Sequence, residues 1–393
     1  MKKKFLTNLI LLLSLNLLIK PFWILGIDRA VQNIVGAQEY GFYYAVFNFS
    51  FLFNIFLDVG LTNFNNRNIA QNQHLLNKYF SGILVMKILL SILYCIITIS
   101  VGYIIGYNSD QMKLLYIMAF NQIMISFVLY LRSNLTGLHL FKTDSVISVL
   151  DRFLMIGFCV ILIWGNISSI KFNIEWFVYA QTLAYFSTAV IAFFVVVRKA
   201  KFSHLYWNTK FYMVVIRQSL PYALLVLLMS FYNRIDSVMI ERILPIGVGA
   251  YQSGTYASAY RLLDASNMIA YLFSVLLLPI FSKMIKQKEH VGEIVKLSII
   301  LLITPAIIVA MSCFAYRFEI MTLLYPQHEM ETIISYTTRL EQSSYIFGLL
   351  MICFVAISTT YIFGSLLTAN GNLKQLNIVA ASGMIFNIGV NLI

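Results

Sequence analysis

The chain has 393 residues, 60% of them hydrophobic and only 11% charged, with a formal net charge of +12. Soluble domains carry roughly a quarter charged residues, so this composition excludes a water-soluble core. The positive charge is not a nucleic-acid footprint: it concentrates at alternate ends of apolar runs, each long enough to cross the hydrocarbon layer.

Ten complete spans are expected at about 7–35, 40–60, 79–105, 112–133, 145–165, 173–197, 211–240, 252–280, 294–316 and 344–369. An eleventh begins near Leu376 and is still apolar at Ile393, the pattern of a C-terminally truncated chain. Met1 to Lys4 followed by an apolar run resembles a signal peptide, but no small-residue cleavage site follows, so it reads as the first span. Of the 28 Lys and Arg residues, seventeen flank one side of the spans, five flank the other and six lie inside them. Positive residues stay on the cytoplasmic side, which places the N-terminus inside.

Pro21 in the first span and Pro305 in the ninth each remove a helical hydrogen bond and predict bends. The longest inner hydrophilic stretch, 198–210, splits the chain into an N-terminal six-helix lobe, 1–205, and an incomplete C-terminal lobe, 206–393. The second half echoes the first. Gly41-Phe-Tyr-Tyr opens span 2 and Gly254-Thr-Tyr-Ala opens span 8, while the preceding spans hold Asp28-Arg29 and Arg234-Ile-Asp236. Such internal repeats mark secondary transporters, whose sites form near mid-membrane.

Six cations lie inside apolar stretches: Lys20, Arg29, Lys87, Arg152, Arg234 and Arg261. A cation at mid-membrane costs about 2.5–3.5 kcal/mol on insertion scales, so such residues face a partner or a watery cavity. Arg29, Arg234 and Arg261 stand at similar depths and read either as a polar lining for an anion or as interhelical glue. Arg261 and Asp264 are three apart and can pair, whereas Arg234 and Asp236 are two apart and diverge. Asp28, Asp236 and Asp264 are candidates for ion coupling by proton or sodium, or for salt bridges. Lys87 is expected to snorkel near the inner end, and Asp58 to cap the chain or pair with Arg67 in the loop.

No P-loop, nucleophile, intramembrane histidine or metal-ligand spacing occurs, so neither an enzyme nor a cofactor is expected. The cysteines Cys95, Cys159, Cys313 and Cys353 all lie in apolar runs and read as small hydrophobes. The longest outer loop, 317–343, is too short for an extracytoplasmic catalytic domain.

Several segments together resemble a known group. Ile27-Asp-Arg-Ala-Val-Gln-Asn, Gly36-Ala-Gln-Glu-Tyr-Gly and Asp58-Val-Gly-Leu-Thr-Asn-Phe-Asn-Asn-Arg are similar to the opening of bacterial polysaccharide-biosynthesis exporters, the lipid-linked oligosaccharide (O-antigen) flippases. Tyr232-Asn-Arg-Ile-Asp, Gly254-Thr-Tyr-Ala-Ser-Ala-Tyr-Arg-Leu-Leu-Asp and Leu278-Pro-Ile-Phe resemble the start of their second half. This family belongs to the multidrug/oligosaccharidyl-lipid/polysaccharide exporter superfamily.

The resemblance implies an all-α polytopic membrane protein, with two pseudo-symmetric bundles of transmembrane helices around a central cavity. It implies residence in the bacterial inner membrane and an undecaprenyl-pyrophosphate-linked oligosaccharide substrate, flipped by alternating access for O-antigen, capsule or exopolysaccharide synthesis. Arg29, Arg234 and Arg261 would then meet the pyrophosphate, and a polysaccharide polymerase is an expected partner. A multidrug or cation antiporter of the same superfamily, and a non-transporting scaffold of the glycan assembly complex, are the alternatives.

Overall fold

A computed structural model of the chain describes residues 2–392 except 63–64, 67–68, 70–75, 166–171, 201–208 and 246. The fold is all-α and polytopic. Its helices are α1 (Lys2–Phe22), α2 (Arg29–Leu52), α3 (Leu76–Ile104), α4 (Ser109–Gly137), α5 (Phe141–Trp164), α6 (Ile174–Val197) and α7 (Thr209–Ile243). They continue as α8 (Val248–Lys286), α9 (Gly292–Ser298), α10 (Thr304–Ala315), α11 (Arg317–Leu324), α12 (Ile333–Ala369) and α13 (Leu373–Asn391).

Among the described residues, nine helical stretches are long and apolar enough to span a membrane, from Phe80–Ile104 to Leu373–Asn391. In hydrocarbon every backbone amide must bond within its own segment, which only helices or closed barrels achieve. Large apolar side chains such as Ile104, 80% exposed, and Leu18, 72% exposed, stand on the outside, as lipid-facing residues do. Side chains cap several of the helix N-termini. Asn108 accepts from the Gln111 amide while Gln111 reaches back to the Asn108 amide, a reciprocal cap opening α4. Asn173 and Thr332 cap α6 and α12 by accepting from the amides of Trp176 and Ser335.

The expected spans 1 and 2 are two helical stretches that part at Gly36, where the chain turns back so that Tyr40 reaches Asp28 twelve positions earlier. Gly36 interrupts α2 with φ 81° and ψ 169°, a conformation essentially reserved for glycine. The expected break between the two spans therefore falls at Gly36, with helix resuming directly after it. Both prolines adjoin a widened turn: Pro21 precedes the π-helical segment Trp23–Asp28, and Pro305 follows Ile299–Ile303. The expected outer loop 317–343 is largely helical, with α11 inside it and α12 starting at Ile333.

The chain packs as two compact units. One comprises residues 1–19, 45–238 and 383–393, the other 20–44 and 239–382. The first has its core among Phe80, Ile83, Tyr130, Leu131 and Leu135, all nearly inaccessible. The second is built chiefly by α8 against α12, with α10 and α11 also packed on α12.

Candidate functional site

In the second unit an arginine is held by two carboxylates and two tyrosines. The π-helical turn ends at Asp28, which is 1% exposed. The Arg261 guanidinium on α8 pairs with Asp28 Oδ2 at 3.0 Å and donates from Nε to the Tyr40 hydroxyl at 3.0 Å. Tyr40 in turn donates to Asp28 Oδ2 at 2.8 Å. One turn along α8, Asp264 accepts from Arg261 Nη1 at 3.5 Å. The Tyr44 ring lies 5.0 Å from the guanidinium carbon, within cation–π range. Buried charge is tolerated in low dielectric when its donors and acceptors are matched, and here hydroxyl, carboxylates and ring surround one cation. Arg29, adjacent in sequence, has a buried Nε without a hydrogen-bond partner.

The remaining expected site residues lie in the first unit. Arg234 on α7 donates from Nη1 to Asn48 Oδ1 at 3.4 Å and stands 5.3 Å over the Phe51 ring. Asn48, 1% exposed, donates onward to Ser237 Oγ at 2.9 Å. Asp236 accepts from Asn391 Nδ2 at 2.9 Å. Helical spacing thus sends Arg234 and Asp236 to different partners, while Asp28, Arg261 and Asp264 come together.

Lys87 corrects the sequence expectation. It does not snorkel: it is 4% exposed, and its ammonium donates to Leu57 O at 3.1 Å, Ser126 Oγ at 2.9 Å and Asp58 Oδ1. Asp58 therefore pairs with Lys87, 29 positions away in sequence; Arg67, its expected loop partner, lies outside the described residues. A lysine in an apolar run signals that a partner exists, but not which one.

Residues 325–332, between α11 and α12, form a second buried polar knot. Arg339, 6% exposed, grips Glu331 with both arms at 2.7 and 2.9 Å and also donates to Pro326 O. Tyr251 on α8 donates to Glu331 Oε1 at 3.2 Å, and the His328 amide to Oε2 at 3.1 Å. Burial pushes the Glu331 carboxyl up, but the Arg339 fork and the His328 amide outweigh it and hold the group below the usual carboxylate range. The His328 ring lies against the Gly36 kink, with Nε2 3.0 Å from Ile34 O.

Gly41 and Gly254, the two glycines of the sequence echo, pack against each other's helix. A Cβ at Gly41 would overlap Ala250 O, and one at Gly254 would overlap Ala37 O. The crossing of α2 and α8 therefore admits only glycine at both positions, the close approach that small residues permit between membrane helices.

Sequence reasoning missed Tyr40 and Tyr44. The available signal was the cluster Tyr40, Tyr43 and Tyr44, three fully buried aromatic residues with hydroxyls, in the span that carries the kink.

The fold resembles solved transporters. One is an inward-facing conformation of a multidrug resistance MATE family transporter of the MOP superfamily, 14% identical, with TM-score 0.67 over 95% of this chain and 87% of that one. The outward-facing conformation of such a transporter gives 14% identity and TM-score 0.61, with the same coverage of both chains. A MOP superfamily transporter from Pyrococcus furiosus, described as having a binding pocket of reversed polarity, is 13% identical with TM-score 0.51 over 98% of this chain and 93% of that one. These likenesses show the fold alone, an all-α fold of the kind those transporters have. No curated protein matches the chain in sequence. The family model of polysaccharide biosynthesis proteins matches residues 5–285, and the chain accordingly belongs to the polysaccharide biosynthesis protein family.

Proposed function

We propose that this protein moves a lipid-linked oligosaccharide across the bacterial inner membrane by alternating access, with the N-terminus cytoplasmic and two lobes, 1–205 and 206–393, related by the internal repeat. The observation that carries this reading is Arg261, a cation buried between helices of a polysaccharide-family transporter and satisfied by Asp28, Tyr40 and Asp264. A pyrophosphate linked to a sugar cannot cross hydrocarbon, and guanidinium forks are the side chains best matched to its oxygens. In the arrangement seen, carboxylates occupy that fork. Substrate phosphate would compete with Asp28 and Asp264 for Arg261, and protonation or sodium binding at those carboxylates would release it, which links headgroup binding to an ion gradient. Arg29 and Arg234 are proposed as further phosphate contacts, and Asp236 as a third ion-responsive carboxylate.

A cation antiporter would instead use Asp28 and Asp264 as its substrate contacts, and charge-swap transport assays with cationic dyes separate the two readings. A polysaccharide polymerase is the partner this reading implies. The test is complementation in cells lacking their own flippase, scoring surface polysaccharide and accumulated lipid-linked repeat units. The chain, or a version extended by a related C-terminus, should restore surface glycan, and Arg261→Ala and Arg234→Ala should abolish it at normal membrane levels. Full export by the well-expressed alanine variants would overturn the arginine assignment.

A further inference from the structure

A cavity of about 260 Å³ lies within the first unit, where the end of α2 and the turn after it meet α4 and α7. Its polar lining is Asn54, Asp58, Thr62, Gln122 and Ser126, and the rest of the wall is aliphatic, with Leu129 and Val226 among it. The volume corresponds to about nine waters at roughly 30 Å³ each, which is room for one pyranose ring. Gln122, 2% exposed, donates to Ser50 Oγ at 3.5 Å and keeps its amide oxygen, while the Ser126 hydroxyl, 8% exposed, is spent on Leu57 O at 3.2 Å.

The charge arrangement selects among ligands. Lys87 is absent from the lining but sits behind it, and its ammonium has three protons for three acceptors: Leu57 O, Ser126 Oγ and Asp58 Oδ1. No Lys87 donor is left to attract an anion. The same contact neutralises Asp58, so the cavity carries no net charge to hold a cation either. Asp58 keeps acceptor capacity all the same. Oδ1 takes Lys87 and the Thr62 hydroxyl, while among the described residues Oδ2 accepts only the Thr62 amide, at 3.3 Å. The Asp58 side chain is 27% exposed, so its remaining lone pairs are reachable. A carboxylate oxygen with spare lone pairs, two amides, the acceptor side of the Thr62 hydroxyl and aliphatic walls, without net charge among the described lining residues, is the chemistry that takes adjacent hydroxyl groups on a ring with apolar faces.

We propose that this cavity is a subsite for one neutral hexose unit, with Asp58, Gln122 and Asn54 accepting and donating to its hydroxyls and Lys87 acting behind the wall to cancel charge. The proposal rests on the oligosaccharide reading above and names the part of the substrate that the arginines do not contact. It also separates the two transport readings, because a drug-like cation gains nothing from a carboxylate already paired with an ammonium.

The experiment is saturation-transfer NMR on the full chain in lipid nanodiscs free of glycosidic detergent. The probes are methyl glycosides of glucose, galactose, mannose and N-acetylglucosamine, with tetraphenylphosphonium and inorganic pyrophosphate as comparison ligands. The expected result is transfer to at least one methyl glycoside, uncompeted by pyrophosphate and weakened about tenfold in Gln122→Leu, and likewise in Asn54→Ala, which keeps the buried amide of Gln122 in place should the first variant fold poorly. Transfer to no glycoside, or glycoside binding unchanged in both variants, overturns the subsite, as does tetraphenylphosphonium displacing the glycoside. The two readings fail separately. Glycoside binding without lipid-linked sugar transport leaves the subsite standing and removes the flippase. Transport with no glycoside binding does the reverse.

Discussion

Gly41 on α2 and Gly254 on α8 cross so closely that a Cβ on either would overlap a carbonyl oxygen of the facing helix. The same crossing brings Tyr40, the neighbour of Gly41, to Arg261, two turns along α8 from Gly254. Two glycines that look like punctuation in the sequence therefore position the buried arginine cluster.

Replacing Gly254 by alanine should separate α2 from α8 and lengthen the Tyr40–Arg261 contact. Overpacking of this kind typically costs about 1–3 kcal/mol. A lowered melting temperature in detergent, with the larger drop for Gly254→Val, checks this; unchanged stability of both variants would show that the helices can part without loss.

The Lys87–Asp58 pair gives a prediction with an internal control. Removing Asp58 strands the buried Lys87 charge, a loss of about 3–5 kcal/mol for a fully buried pair, whereas removing Lys87 leaves the partly exposed Asp58 and costs less. Asp58→Asn should lower the thermal midpoint strongly and Lys87→Met less, and the double variant should recover part of the loss, because the stranded charge is then gone. Strictly additive losses in denaturation measurements would mean the pair is not coupled.

Glu331 predicts an acid limb in stability. Its folded carboxyl titrates below its ordinary value, so its contribution is fully present above the unfolded value of about 4.3 and is lost as pH falls through the folded value. The melting temperature of the native chain should exceed that of Glu331→Gln at pH 7, and the gap should close as the pH falls below about 4. A gap that is constant with pH would remove the Arg339–Glu331 pair as its source.

The helical class and the membrane setting were legible because hydrophobic runs of membrane length leave few alternatives. The Arg261–Asp264 pairing followed from i, i+3 spacing alone. What spacing could not supply was long-range pairing. Asp28 reaches Arg261 from 233 positions away, beyond a π-helical turn at Trp23–Asp28, and Lys87 reaches Asp58 from 29 positions away. A widened turn has no reliable composition, although Pro21 stood beside it. The break between the first two spans was legible as well, and Gly36 supplies the positive φ that turns the chain back there.

The most direct test of the central claim uses purified protein in proteoliposomes loaded with a pyrophosphate-linked oligosaccharide lipid. A membrane-impermeant glycosidase outside reports how much sugar reaches the outer leaflet. The account predicts protein-dependent exposure of sugar, nearly abolished by Arg261→Ala and partly retained by Arg261→Lys, which keeps the charge but not the fork. Equal exposure with the native chain and Arg261→Ala, or none above protein-free liposomes, would contradict it.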